Sequence, residues 1–518
     1  MATRKAVVIG AGLGGLSAAL ELSRRGYDVI VLERHATPGG KASTRSWNGW
    51  RWDEGPSIVV MTWVYRELFE AQRLDPDAFL PFKRLDPAFE VILSDGRTLT
   101  IPADEQGCVE AFSQIDPNDA QALQFFLAKV DRFAKLIGRS YCDRILETWP
   151  QVMLSPLMVS AAVISPNTTY VEEINQWFKN PWIRELFYGF PTYSGFDPAS
   201  APASLVIMPW IILREGVWYP CQGGIAAIPR ALAAACREVG IEIRTGVEVE
   251  AIERNALGNV TRVATSQGPI ETEIVVSNAD YIHTLRMLRG GPLSQEVQAM
   301  RSGRAEPSTS FFTVQLACDR VWPHLSHHLL TLTPGSQQVY RQIYHEHRYP
   351  DDPPLYVNTT SVTDPGDAPP GGSNPFMVIN IPPLKREGDP IEPEATREFQ
   401  EAYADRAIKR LEDSGLEGLN ASIRHRHITS AADWSSRYYA FKGSIYGLGP
   451  SHNILNGGFR PLPILKEVPG LYFVGGAVQP GPGMPMVVQS GKIVAARIAK
   501  DFPLRKATRS VSIRGFER

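Results

Sequence analysis

Residues 6–33 read AVVIGAGLGGLSAALELSRRGYDVIVLE, and this stretch decides the fold. A β-branched run, Val7-Val8-Ile9, breaks into Gly10-Ala11-Gly12-Leu13-Gly14-Gly15. A helical pattern follows, and a second strand, residues 28–32, ends at Glu33. Strand, glycine turn, helix, strand and acid in this order form a dinucleotide-binding fingerprint. Gly10 permits the tight turn, Gly12 lets the backbone approach a pyrophosphate, and Gly15 lets helix and strand pack closely. The helix N-terminus turns free N–H groups and a positive dipole end toward the phosphates. Glu33 is placed to accept hydrogen bonds from a ribose hydroxyl. An ordinary glycine-rich turn explains neither the glycine spacing nor the placed acid.

The 518-residue chain is long enough for two or three domains with real cores. Its 43% hydrophobic and 21% charged content is that of a globular protein, and a net charge of -2 gives no reason to expect a nucleic-acid partner. The five cysteines, Cys108, Cys142, Cys221, Cys236 and Cys318, form no CxxC pair, so neither a disulfide framework nor a metal site is expected. No signal peptide is expected, because cleavage after the first apolar run would destroy the nucleotide turn. No apolar run approaches the ~20 residues that cross a bilayer. The expected location is therefore cytoplasmic. Two apolar stretches, 152–165 and 203–213, are too short to span. Core packing is their default reading, with a lipid-like pocket or a membrane surface as alternatives.

The nucleotide-binding texture is discontinuous. Pro38-Gly39-Gly40-Lys41-Ala42 and Trp52-Asp53-Glu54-Gly55-Pro56-Ser57 are glycine-containing loops suited to backbone contact with a bulky ligand. A strand at 89–93 turns at Asp95-Gly96, and helical, aromatic-rich sequence runs over about 121–190. The first texture returns at 219–224, with a helix over 225–239 and strands over 241–244 and 247–253. A further strand ends in Ser277-Asn278-Ala279-Asp280. Residues 363–375 read as a loop and 393–413 as a helix. Residues 470–501 give a strand at 471–474, a glycine-proline loop and a last helix. The predicted class is α/β. One discontinuous nucleotide-binding domain covers 1–83, 219–300 and 456–505, a mixed sheet-and-helix domain covers 84–218 and 301–455, and 506–518 form a frayed basic tail.

Taken together, these blocks resemble the bacterial-type phytoene desaturases, the carotenoid and retinoid oxidoreductases related to amine oxidases. The fingerprint, PGGKA and DEGPS match the start of that family. Phe196-Asp197-Pro198 with Ala201-Pro202-Ala203, then Gly216 to Pro220 and Gly223-Gly224, match its middle. Val276 to Asp280, Ser361 to Asp364 with Ala368 to Gly371, Gly443-Ser444, Phe459-Arg460-Pro461 and Tyr472 to Lys492 complete the series. The resemblance implies a Rossmann-like FAD domain, a substrate domain, FAD as cofactor, a long apolar isoprenoid substrate and peripheral membrane association. It leaves the electron acceptor open. One departure stands out: Val478 and Gln479 occupy positions where many members carry Thr-His. A histidine titrates, whereas glutamine only hydrogen-bonds.

The resemblance and the glycine spacing assign Gly10, Ala11, Gly12, Gly14 and Gly15 to the pyrophosphate turn, and Glu33 with Arg34 to the adenosine. Gly39, Gly40, Lys41, Gly55, Pro56 and Ser57 fall along the pyrophosphate, ribityl chain and flavin. Val249 falls against adenine, and Gly475, Gly476, Pro485, Met486 and Val487 at the flavin. Lys41 as a solvated lysine and Met486 as core packing are the competing readings. Dehydrogenating a CH2–CH2 unit needs a hydride acceptor that no side chain provides, so the protein's part is chiefly to position the chain in a dry tunnel. No catalytic base is assigned. Asp143-Arg144 reads as a surface ion pair, His327-His328 as structural residues or tunnel lining, and Asp53 as a loop cap or flavin neighbour. The leading expectation is an FAD-dependent carotenoid desaturase. A flavin isomerase, saturase or terminal-methyl oxygenase acting on a coloured polyene is the rival enzyme, and an FAD-containing polyene carrier is the rival of another class.

Overall fold

The computed structural model describes residues 4–93, 95–137, 167–386, 396–449 and 460–504, with a few single positions between them. The opening fingerprint folds into strand Lys5–Ile9, helix Leu13–Arg24 and strand Asp28–Glu33. Both strands are buried after their first residue, as near-continuous apolar runs must be when a parallel sheet is covered on both faces. Lys5–Ile9 lies between Asp28–Glu33 and Ile274–Ser277. Glu242–Thr245 and Leu471–Phe473 take the two edges, and every pairing is parallel. Five strands from distant parts of the chain therefore make one sheet.

One face of that sheet carries the first helix, the helix Ala227–Glu238 and the last helix Met484–Asp501. Small side chains, among them Ala18, Ala19, Ala235 and Ala495, let these helices approach closely. The Ser17 hydroxyl donates to the Val488 carbonyl at 2.7 Å. At the same crossing a Cβ on Gly491 would stand 2.5 Å from the Ala18 nitrogen. The other face, with Val7, Ile9, Ile30 and Leu32, packs on Ile252, Val263 and Leu285. Ile252 and Val263 belong to a four-stranded sheet in the order Ile270–Glu271, Val260–Thr265, Val249–Arg254, Leu288–Arg289.

A seven-stranded sheet runs Ile423–Thr429, Ser310–Cys318, Phe376–Ile381, Leu355–Asn358, His328–Thr331, Phe89–Ile92, Thr98–Ile101. Alternation along each strand gives it two faces. Phe312, Val314, Val357 and Ile379 pack on Tyr403, Ala404, Ile408 and Leu411 of helix Arg397–Asp413. The opposite face carries Phe311, Asn380, Val378, Tyr356, Leu330, Phe89 and Ile101, and helices Pro181–Tyr188 and Ile207–Glu215 help to roof it.

Several expectations change in detail. The helical region expected over 121–190 is not one helix among the described residues but Pro117–Ile137, Tyr170–Trp177 and Pro181–Tyr188. The break before Pro181 has a local cause. Asn180 takes an extended conformation, as a residue before proline must, and its side chain accepts from Trp182 N. The helix expected from 393 begins at Arg397, where the Thr396 side chain accepts from Phe399 N. Residues 203–213 form a 3-10 turn, Ala203–Val206, and helix Ile207–Glu215. Ile212 and Leu213 of that helix are buried, so this stretch is core and cavity wall. Asp143, Arg144, Cys142 and most of 152–165 lie outside the described residues. Among the described residues no helix is long and apolar enough to cross a membrane.

Candidate functional site

A cleft of about 340 Å³ lies at the C-terminal ends of the parallel strands, where open α/β sheets bind ligands. Gly10 follows strand Lys5–Ile9 with φ +92°, and its N–H donates to the Leu32 carbonyl at 2.7 Å. Gly10 and Gly12 line the cleft. Gly14 and Gly15 do not. A Cβ on Gly15 would fall 2.1 Å from the Gly10 carbonyl oxygen, and one on Gly14 would fall 3.1 Å from Gly475 N. These two glycines therefore allow close packing of turn, helix and last strand. Ala11 also lies off the cleft. Its N–H donates to Glu33 Oε2 at 2.8 Å, while Glu33 Oε1 accepts from His35 N at 2.8 Å. The acid thus ties the glycine turn to the end of the second strand while lining the cleft.

Asn278 is the residue the sequence assignment missed. Its Oδ1 accepts from Gly15 N at 3.1 Å and its Nδ2 donates to the Val474 carbonyl at 3.1 Å, so one side chain joins the start of the first helix to the ends of two strands. A Cβ on Gly12 would come 2.6 Å from that same Oδ1. Asp280, two residues on, caps the helix Tyr281–Met287 and accepts from Phe441 N at 3.3 Å. Both residues belong to the Ser277-Asn278-Ala279-Asp280 run, so the motif was the signal that would have found them.

Arg34, Gly39, Gly40, Lys41, Gly55, Pro56, Val249, Gly475, Gly476 and Val487 all line the cleft. Lys41 is half-buried rather than fully solvated. Its Nζ donates to the Ile445 carbonyl at 2.7 Å, and burial lowers its pKa to about 8 against the pull of the Asp280 carboxylate. Ser57, Pro485 and Met486 are not cleft residues. Ser57 hydrogen-bonds the Tyr356 hydroxyl. Pro485 occupies the first turn of the last helix, where its missing N–H costs nothing. That helix presents Met484 and Val487 to the cleft instead. Val478 packs among Leu471, Phe473 and Val468, and Gln479 is buried. Neither lines the cleft.

The far end of the cleft is walled by residues 438–440. The Arg34 guanidinium lies 3.9 Å from the Tyr439 ring centroid, the His283 ring stacks on Tyr439 at 4.3 Å, and the Tyr439 hydroxyl donates to Glu248 Oε1 at 2.8 Å.

Asp53 does not line the cleft. It is buried, bonded to Arg51 Nη1 at 2.8 Å and to Ile225 N at 3.0 Å, and Arg51 forks onto Asp367. Burial raises the Asp53 pKa, and the Arg51 charge opposes that shift. This network explains why position 224 is glycine, since a Cβ there would meet Arg51 Nη2 at 2.4 Å. His327 and His328 line neither cavity. His327 Nδ1 pairs with Thr363 Oγ1 at 2.7 Å and His328 Nδ1 with Tyr356 OH at 2.8 Å. Burial holds His327 at about 3 and His328 well below its ordinary value, so both rings are neutral at pH 7.

A second cavity, of about 90 Å³, lies between the free face of the seven-stranded sheet and its helical roof. Phe187, Leu186, Phe112, Leu332 and Ile212 give it apolar walls. Phe311 borders both this cavity and the cleft.

The cleft suits a large anionic dinucleotide. The first and last helices both begin at it with a glycine N-cap that contributes no side-chain cap, so the positive dipole ends of both helices face the cleft. A Cβ on Gly483 would meet nothing within 4 Å, which leaves the backbone at that helix start open to a ligand. Fold and cleft together define a dinucleotide-binding protein. The model of the flavin-containing amine oxidoreductases matches residues 13–499, and the chain belongs to that family. Its cofactor is FAD. It is similar to a 4,4'-diapolycopene oxygenase from Methylomonas sp, at 30% identity over 96% of this chain and 99% of the relative. It is also similar to a 4,4'-diaponeurosporene oxygenase from Staphylococcus aureus strain Mu50, at 30% identity over 97% and 100%. Among solved structures it resembles an oxidoreductase from Methanosarcina mazei (TM-score 0.61, 19% identity, covering 95% and 100%). It also resembles the cyclohexylamine oxidase of Brevibacterium oxydans (TM-score 0.57, 18% identity, covering 96% and 99%). The resemblance to carotenoid oxidoreductases read from the motifs thus extends along nearly the whole chain.

Proposed function

We propose that this protein is an FAD-dependent oxidase of a long acyclic polyene, and that it oxidises the terminal methyl end of that chain. The observation that carries the reading is the meeting of a largely apolar, aromatic-walled cavity with the nucleotide cleft at Phe311. From Phe311 to Ile101 the cavity floor crosses five inter-strand steps, about 24 Å, which suits a rod-like hydrocarbon. When bound, FAD supplies the electron acceptor that the side chains lack. The chain's own residues do the rest. Phe187, Leu330 and their neighbours exclude water, and Tyr356, fixed by His328 and Ser57, sets one wall. We assign Gly10 and Gly12 with the first helix to the pyrophosphate, Glu33, Arg34 and Val249 to the adenosine end, and Gly475, Gly476 and Val487 to the flavin end.

Terminal oxidation is favoured over desaturation by the named activities of the relatives, both oxygenases. Desaturation remains the second reading, supported by the resemblance of the PGGKA and DEGPS blocks to the phytoene desaturases. Peripheral attachment to a membrane follows from either substrate, because such polyenes dissolve in lipid. The test is expression in a host that makes 4,4'-diapolycopene, followed by product mass. Gain of oxygen supports the reading, and loss of two hydrogens from a more saturated precursor moves it to desaturation. Purified protein that carries no flavin and takes none up overturns both.

A further inference from the structure

The second cavity holds a carboxamide that the fold does not use fully. Asn380 lies on strand Phe376–Ile381, directly across from Phe311, the residue that borders both cavities. Its Nδ2 makes a single contact, 3.5 Å to Thr192 Oγ1, at the outer limit for a hydrogen bond, and its Oδ1 is buried with no partner. Whichever way the carboxamide is turned, one end lacks a partner.

Most other polar groups along this wall have work within the fold; the exception is Tyr193, which also lines the cavity and whose hydroxyl makes no hydrogen bond among the described residues. Thr192 Oγ1 donates to the Gly189 carbonyl at 2.7 Å, and the Tyr356 hydroxyl pairs with His328. Thr331 Oγ1 accepts from Leu355 N at 3.1 Å, and Glu185 accepts from Gly335 N and Ser336 N at the start of helix Ser336–Tyr344. A half-satisfied carboxamide in an apolar cavity keeps an uncompensated desolvation cost. A pure hydrocarbon returns none of that, whereas a hydroxyl or carbonyl oxygen does. A carboxamide offers both a donor and an acceptor, so it suits either oxygen function.

We propose that Asn380 is the contact by which the cavity distinguishes a polyene terminus that already carries oxygen from a hydrocarbon terminus. This inference rests on the reading that the cavity takes a polyene. It makes the oxygenated chain a substrate in its own right, held where the cavity meets the cleft and placed for a further oxidation.

The holoenzyme is titrated in detergent micelles with 4,4'-diapolycopene and with the same polyene bearing one terminal hydroxyl. Binding is read from tryptophan quenching and the shift of the polyene absorbance. The native protein is expected to bind the alcohol up to about tenfold more tightly than the hydrocarbon, the worth of one well-made hydrogen bond. Asn380→Leu is expected to abolish that preference and to leave hydrocarbon affinity equal or higher. Asn380→Val, a β-branched replacement that suits a strand, gives the same reading should the leucine variant fold poorly. Equal affinity of the native protein for both polyenes overturns the proposal, as does a parallel loss of both affinities in the variants. A preference kept in Asn380→Leu and lost in Tyr193→Phe moves the contact to Tyr193 and overturns the assignment. Native protein that binds neither polyene overturns the polyene reading itself, a result distinct from the others.

Discussion

Glu33 shows how one side chain serves both fold and ligand. Its two carboxylate oxygens hold the N–H groups of Ala11 and His35. Glu33→Gln places an amide NH2 against one of those donors. The flavin-free protein is then expected to lose about 1–3 kcal/mol in denaturant unfolding, and purified protein to carry less flavin by absorbance. The histidine pair makes a pH prediction. Both rings are held below their ordinary value of 6.5, His327 at about 3. Between pH 6.5 and about 3 the unfolded chain binds protons that the folded chain refuses, so stability falls as pH drops through that window. The slope is about 1.4 kcal/mol per pH unit for each ring. Melting temperature followed from pH 7.5 to 5 should fall, and His327→Gln with His328→Gln should flatten the curve. The glycine turn and Glu33 were legible in the sequence because their meaning lies in local spacing. The roles of Asn278, Asp280 and Asp53 were not, because their partners, Val474, Phe441 and Ile225, stand far along the chain. Asp53 therefore read as a loop cap or a flavin neighbour, while in the fold it is ion-paired with Arg51.

At the scale of elements, the first and last helices carry the argument. They cross where Gly491 meets Ala18 and Ser17, and a Cβ there would lie 2.5 Å from backbone and 2.7 Å from the serine hydroxyl. Gly491→Ala is expected to cost about 1–3 kcal/mol, read as a lower melting temperature with unchanged far-ultraviolet dichroism. Because the last helix also begins at the cleft, the same variant should weaken flavin retention. Strands of the parallel sheet were legible as β-branched runs to within a residue or two. Their order was not, since Glu242–Thr245 joins one edge and Leu471–Phe473 the other through pairings that no local pattern encodes. The helical region before Phe190 was legible in type and not in its breaks, which depend on caps at Thr169 and Asn180.

For the whole molecule, the decisive feature is that two cavities of different make-up meet at one aromatic side chain. The cleft is built of glycine loops and helix starts, while the second cavity is walled by phenylalanine, leucine and isoleucine. Phe311→Trp narrows the junction without altering the glycine loops. Flavin content is expected to stay at the native level while polyene turnover falls at least about tenfold, a loss of access rather than of cofactor. Equal losses of both would mean that the ring serves the fold instead. The layout of the parallel sheet has a further consequence, for synthesis. Ile9 leaves the ribosome on the order of a minute before Leu471, at ordinary rates of elongation. From its own synthesis until then the inner strand Ile274–Ser277 has no neighbour on one side, and throughout the interval the glycine turn has no last helix to close over it. The nucleotide site is therefore completed only after nearly all of the chain has been translated, and a nascent chain stalled before residue 471 should expose an open strand edge to chaperones.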